Sequence, residues 1–284
     1  MTSRRFATWT CCALLFICGS TALAKTAPPI SNTQWQLVWS DEFDYFGKPD
    51  ENKWEFEVGG EGFGNGELEY YTSRPENAFV ENGYLTIEAR REMYNGSMYT
   101  SARMNSKGPG FKYGRIEFRA KLPSGNGTWP AIWAMPNHMT YGTALWPDNG
   151  EIDIMEHVGR EPNQLLGCFY TKNYIWYDGT GKTVTIDYNG IENDWHVYTL
   201  DWNENQISIS MDGNPFNVFQ NPHTNWGDWP FDQNFHLIMN LAIGGGFAGD
   251  VDDSIFPQRL LVDYVRIYQP VPEMPEHMLI TTRL

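Results

Sequence analysis

The chain has 284 residues, with 35 acidic against 20 basic side chains and a formal net charge of −15. That balance argues against a nucleic acid or an anionic polysaccharide held by charge, and leaves a neutral ligand compatible. Aromatic residues make up 15 % of the chain, 12 of them Trp, which leaves rings to spare for stacking on a ligand once a core is filled.

The N-terminus reads as an export leader over residues 1–24. Arg4 and Arg5 form a short basic region, residues 11–18 are apolar, and Ala22-Leu23-Ala24 is a small-x-small cleavage signal. The apolar stretch is too short to span a bilayer. Leu15-Phe16-Ile17-Cys18 is a poor lipoprotein box, because bulky Phe and Ile precede the Cys. A secreted product is therefore expected, extracellular or periplasmic, with no membrane attachment after cleavage. Three of the four cysteines lie in the leader, so Cys168 alone remains, as a small buried hydrophobe that can form no intramolecular disulfide.

Short apolar runs separated by Gly, Pro, Asn and Asp follow. They are Trp35 to Trp39, Tyr84 to Ala89, Arg115 to Leu122, Ala131 to Met135, Ile152 to Val158, His196 to Trp202, Gln206 to Met211, Phe235 to Ala242 and Val262 to Tyr268. Most alternate with period two. Residues 199–202 and 207–210 read as a hairpin around Asn203-Glu204-Asn205. Amphipathic helical patterning is nearly absent. The fold class expected is all-β, a two-sheet antiparallel β-sandwich, over residues 25–269 as one domain. Pro270 to Pro275 ends the pattern, and residues 270–284 read as a flexible tail.

Glu151-Ile152-Asp153-Ile154-Met155-Glu156 puts three carboxylates among apolar β-formers. Side chains alternate along a strand, so Glu151 and Asp153 share one face and Ile152 and Ile154 the other. Glu156 lies an odd number of positions from Glu151 and would point away from it. One extra residue, a β-bulge near Ile154-Met155, would return Glu156 to the face of the other acids. The plain alternative is a solvated acidic face that binds nothing. The third carboxylate and the flanking aromatics speak against it. Crowded carboxylates suit the hydrolysis of a glycosidic bond, where one must be ionised and another must hold a proton.

Further motifs accompany this one: Leu37-Val38-Trp39-Ser40-Asp41-Glu42-Phe43-Asp44, Gly64-Asn65-Gly66-Glu67-Leu68-Glu69-Tyr70-Tyr71-Thr72, Trp129-Pro130-Ala131-Ile132-Trp133 and Val262-Asp263-Tyr264-Val265-Arg266-Ile267-Tyr268. With E-I-D-I-M-E, the chain resembles glycoside hydrolase family 16, and within it the laminarinase-type endo-β-1,3-glucanases. The resemblance implies a concanavalin-like jelly roll with a concave substrate cleft. It implies Glu151 as nucleophile, Asp153 as the helper between the acids and Glu156 as general acid/base. It places Asn65, Arg103, Trp129, Trp133 and Trp146 at the cleft, with Glu67 a weaker candidate. His157 directly follows the acid/base and is expected to pack on the other face. The extra Met155 argues against the lichenase and xyloglucan-active branches, whose form is one residue shorter.

No cofactor is implied for catalysis. A structural Ca²⁺ is implied at Asp263, with the backbone carbonyls of Glu42 and Gly83, all oxygen ligands. The partner implied is a neutral β-glucan, β-1,3-linked and also mixed-linkage β-1,3-1,4, acted on by a monomer. The alternatives are an agar-type galactan hydrolase and a non-catalytic β-glucan-binding protein; intact Glu151 and Glu156 speak against the latter. Two departures from the family pattern stand out. Tyr170 replaces a His in Gly167-Cys168-Phe169-Tyr170-Thr171, and Phe247 stands in a loop that normally carries a Trp.

Overall fold

The computed structural model describes residues 34–192 and 194–271. The expected leader, and the expected tail beyond residue 271, lie outside them. Two β-sheets face each other across one apolar core. The seven-stranded sheet runs, edge to edge, through Val184–Asp187, Gln164–Tyr170, Glu151–Glu156, Thr128–Pro136, Phe235–Ile243, Arg103–Ser106 and Trp54–Glu57. The ten-stranded sheet runs from Asn214–Gln220 through Gln206–Met211, His196–Trp202, Gly114–Lys121, Gln258–Pro270 and Tyr84–Tyr94 to Ser97–Ser101 and Glu69–Tyr71. Trp35–Asp41 adds beside Gln258–Pro270, and Ala78–Glu81 beside Tyr84–Tyr94. The pairings are antiparallel except that of Glu69–Tyr71 with Ser97–Ser101.

The alternation read from sequence is what seals the core. In Gly114–Lys121 every second residue is buried, with Ile116, Phe118 and Ala120 inward. Leu237, Met239, Leu241 and Ile243 reach the core from Phe235–Ile243, and Ile152, Ile154 and Met155 from Glu151–Glu156. The other face of the seven-stranded sheet is left free for chemistry. The expected hairpin closes as read, with Asp201 opposite Ser208 and Trp202 opposite Ile207. Asn203 Oδ1 accepts from the backbone N–H groups of Asn205 and Gln206, which holds the turn. The closing strand runs to Pro270, one residue into the expected tail. Among the described residues, no helix is long and apolar enough to cross a membrane.

Candidate active site

The acid strand carries its extra residue where parity requires it. Asp153 stands opposite Trp133 and Met155 opposite Ile132, so two steps on the acid strand match one on its neighbour and Ile154 is the residue over. The register to Gln164–Tyr170 also shifts between Asp153 and Glu156. Ile154 and Met155 are both fully buried in the core, and Glu156 emerges on the same face as Glu151 and Asp153. Directly opposed residues share a face. Ala131 stands opposite Glu156, and its small side chain leaves room over the carboxyl.

Each acid has a different environment. Burial raises the pKa of Glu156 most, the charge of Glu151 adds to it, and a hydrogen bond from Trp129 opposes them; the result is about 7. The Trp129 indole N–H donates to Glu156 Oε1 over 3.1 Å. Burial also raises Glu151, but a hydrogen bond with Asp153 and the positive charge of Arg103 pull it back. Asp153 is held well above the usual carboxylate range, first by burial and then by the charges of Glu151 and Glu156. Asp153 therefore keeps a proton and shares it with Glu151. Its Oδ2 is buried and takes no partner. Glu151 is left as the carboxylate that accepts, and Glu156 as the acid poised near neutrality.

Around the acids the aromatic residues take up distinct positions. Trp133, opposite Asp153, donates its indole N–H to Asn240 Oδ1 over 2.8 Å. The Arg103 guanidinium lies 4.8 Å from the Trp133 ring and 5.0 Å from the Phe63 ring, and Glu57 holds it at 3.0 Å. Trp129 meets Phe247 edge to face, with ring centroids 5.2 Å apart, so Phe247 braces the platform beside the acid/base. Trp146 stands edge-on to Tyr170, which is opposite Glu151 in register. Tyr170 thus occupies the cleft face on the strand next to the acids. Cys168 is opposite Asp153 on that face, fully buried, and bonded to Thr183 Oγ1 at 2.8 Å.

Asn65 reaches the cleft wall through a network that sequence did not disclose. Its Nδ2 donates to Glu67 Oε1 over 2.9 Å, and Tyr71 donates to Glu67 Oε2 over 2.8 Å. Asn240 Nδ2 donates to the Tyr71 hydroxyl, closing a path from Asn65 to Trp133. Glu67 therefore braces Asn65 directly and is linked to Trp133 through Tyr71 and Asn240. Asn240 was missed by sequence reasoning, although its place in the alternation of Phe235–Ile243 was the available signal. His157 is buried as expected, between the Gln164 carbonyl (2.7 Å) and Glu192 (2.9 Å).

The three residues expected at a metal site lie on or beside strands of the ten-stranded sheet. The register of the closing strand shifts between Val262 and Tyr264, which puts Asp263 in a bulge. Leu85 opposite Val262 and Asp41 opposite Val265 bring the Gly83 turn and Glu42 alongside. One oxygen of Asp263 is taken by Arg119 at 2.6 Å, and the Glu42 carboxylate by Arg266. Arginine pairing thus leaves the Glu42 and Gly83 carbonyls and the second Asp263 oxygen as the oxygens a Ca²⁺ there would have to use. Among the described residues, no group of three His, Cys, Asp or Glu side chains is placed to hold a metal.

Comparison with known proteins agrees with this geometry. Residues 66–266 match the family model for glycosyl hydrolases family 16. A beta-glucanase of Rhodothermus marinus is 52 % identical over 244 residues, covering 83 % of this chain and 85 % of the relative. A glucan endo-1,3-beta-glucosidase A1 of Niallia circulans is 37 % identical over 82 % of this chain, which spans 38 % of that larger protein. The X-ray structure of the laminarinase from Rhodothermus marinus superposes with a TM-score of 0.82 at 51 % identity, over 85 % of this chain and all of the other. With the bulged acid strand, the two sheets and these matches in hand, the chain belongs to glycosyl hydrolases family 16.

Proposed function

We propose that this protein is an endo-β-1,3-glucanase that hydrolyses internal bonds of a neutral β-glucan by double displacement, with retention at the anomeric carbon. The observation that carries the reading is the divergence of the carboxyls along one bulged strand. Glu156 sits at about 7, and Glu151 is held as an acceptor by Asp153 and the charge of Arg103. In the first step Glu156 gives its proton to the glycosidic oxygen as Glu151 attacks C1. The bond from C1 to the leaving oxygen breaks and a glycosyl ester forms. Esterification consumes the charge on Glu151, which had been raising Glu156, so Glu156 becomes a stronger acid in the intermediate. Its carboxylate then takes a proton from water, the water oxygen attacks C1, and Glu151 leaves. Asp153 keeps its proton on the Glu151 side, limits the number of charges in the cleft and orients the nucleophile.

The substrate class follows from relatives named as a beta-glucanase and a glucan endo-1,3-beta-glucosidase, and from the excess of acidic side chains, which favours a neutral polymer. Mixed-linkage β-1,3-1,4-glucan, a monomeric state and export after removal of residues 1–24 belong to the same proposal. A structural Ca²⁺ at Asp263, held with the Glu42 and Gly83 carbonyls, completes it. The deciding experiment is digestion of laminarin, lichenan and agarose, with product sizing and proton NMR of the first anomer released. β-Anomer and a ladder of short products from laminarin are expected. An α-anomer would overturn retention, and cleavage of agarose alone would overturn the glucan assignment.

A further inference from the structure

A second pair of buried acids, unused by the proposed reaction, stands behind the cleft wall. Glu67 and Glu69 lie where residues 62–69 meet the end of Phe235–Ile243. Glu67 forms a β-bridge with Gly244, the Leu68 N–H donates to the Ile243 carbonyl, and the Gly246 N–H donates to the Asn65 carbonyl. The Ile243 N–H donates to Glu69 Oε2 over 2.6 Å. Glu69 is fully buried and Glu67 is 7 % exposed. The Arg103 guanidinium, whose charge reaches Tyr71, is paired with Glu57 instead.

Two buried carboxylates side by side repel, so one of them must hold a proton. The hydrogen bonds say which. Glu67 accepts at both oxygens, from Asn65 Nδ2 at Oε1 and from the Tyr71 hydroxyl at Oε2. Glu69 accepts at Oε2, while its Oε1 is buried and meets no donor among the described residues. A carboxylate oxygen in that place would be costly. A carboxylic O–H there has its acceptor in Glu67, with which Glu69 shares a hydrogen bond. Burial first, and then the charge of Glu67, hold the Glu69 pKa well above the usual carboxylate range. The other groups around the pair do not compete for this proton. Burial keeps the Tyr71 hydroxyl protonated, and Tyr99, opposite Glu69 in register, turns its hydroxyl to Asp253. Phe235–Ile243 brings the uncharged Asn240 amide and the Ile243 N–H to the cluster.

We infer that Glu69 is a positioning residue: it stays protonated, gives its hydrogen bond to Glu67, and through Glu67 fixes Asn65 at the cleft wall. A neutral Glu69 leaves Glu67 free to act as a threefold acceptor, and Asn65 is one of its three donors. The inference rests on the glucanase reading for its readout in rate, and adds to it a proton that is held rather than transferred.

Glutamine is the matching probe. In Glu69→Gln an amide N–H replaces the carboxyl proton and the amide oxygen still accepts from Ile243, so kcat/KM on laminarin should stay close to the wild type. Glu69→Leu removes both bonds, and kcat/KM should fall by about three- to tenfold, the loss expected for one hydrogen bond. In an Asn65→Ala background Glu69→Leu should cost nothing further, because its effect passes through Asn65. Glu67→Gln is the converse change. It sets a donor against the donors of Asn65 and Glu69, so it should lower kcat/KM where Glu69→Gln does not, and it replaces Glu69→Leu in the cycle should that variant not fold. At pH 9 the infrared band of carboxylic-acid carbonyls should be weaker in Glu69→Gln than in the wild type. An unchanged band, or a Glu69→Gln variant as impaired as Glu69→Leu, means an ionised Glu69 and overturns the inference. An equal loss with and without the Asn65 side chain overturns the positioning role. A wild type that turns over no β-1,3-glucan overturns the glucanase reading instead, and the band, which needs no substrate, still decides whether Glu69 holds the proton.

Discussion

Trp129 donates its indole N–H to Glu156, whose pKa lies near neutrality. The two residues sit on neighbouring strands of one sheet, with Ala131 opposite Glu156 and Trp129 two positions further along. The contact therefore ties a candidate sugar platform to the protonation of the acid. Removing a hydrogen bond that favours the charged form lets the pKa rise. Trp129→Phe keeps the ring and deletes the donor. Its kcat/KM profile should hold activity to higher pH than the wild type, alongside a lower maximum. A profile that does not move would mean the bond is not made in the free enzyme.

The wild-type profile has a defined alkaline limb. Glu156 must start protonated, so kcat/KM should fall above pH about 7, approaching tenfold per pH unit. Steady-state rates on laminarin across pH 4–10 measure this. Glu156→Gln and Glu151→Gln should each remove at least about 10³-fold of kcat, in line with losses at acids and nucleophiles that act as a unit. Binding of laminarin-derived oligosaccharides should survive both changes.

Stability should register the same carboxyl, and over a wider pH window. A free glutamate titrates near 4.3, and Glu156 in the fold near 7. Protonated Glu156 is at ease in the fold below pH about 4. As pH rises from there through 7 the unfolded chain releases its proton first, so stability is lost across that window. Glu156→Gln carries no such titration. It should be more stable than the wild type at pH 8, by roughly 3–4 kcal/mol, and differ little at pH 4. Urea unfolding at the two pH values checks it.

Arg103 stacks on Trp133 and Phe63 while its guanidinium meets Glu57. A lysine keeps the charge but neither the planar stack nor the fork. Arg103→Lys should therefore lower kcat/KM on laminarin by about tenfold, with Tm nearly unchanged. An equal loss of rate and of Tm would instead assign Arg103 to scaffold support.

The Ca²⁺ proposal is tested by stability rather than rate. Adding millimolar CaCl2 after EDTA treatment should raise Tm by several degrees, the scale set by binding to the folded state alone. Asp263→Ala should erase the rise. Arg119 competes for the same carboxylate, so Arg119→Gln should enlarge it.

The acid strand was legible because parity is a local property. Five positions between Glu151 and Glu156 put them on opposite faces unless one residue is inserted, and the register shows that residue at Ile154. His157 was placed by the same count. The strands Trp54–Glu57 and Arg103–Ser106 were not read as strands, because they are only four residues long and are defined by pairing with each other and with Phe235–Ile243. The contacts among Asn65, Glu67, Tyr71 and Asn240 join residues up to 169 positions apart. Composition and spacing carry no trace of such closures.

The doubled inward residue at Ile154-Met155 also separates counting from aiming. A shorter strand with a single residue in place of that pair would restore plain alternation and still deliver its last acid to the cleft. The direction of the proton donor is thus governed by the neighbouring strands, which hold their own register on either side. What the spare residue changes is the interior, where two bulky side chains plug a volume that one would leave open. A deletion there should be felt as a void beneath the floor of the cleft before it is felt as a misdirected glutamate.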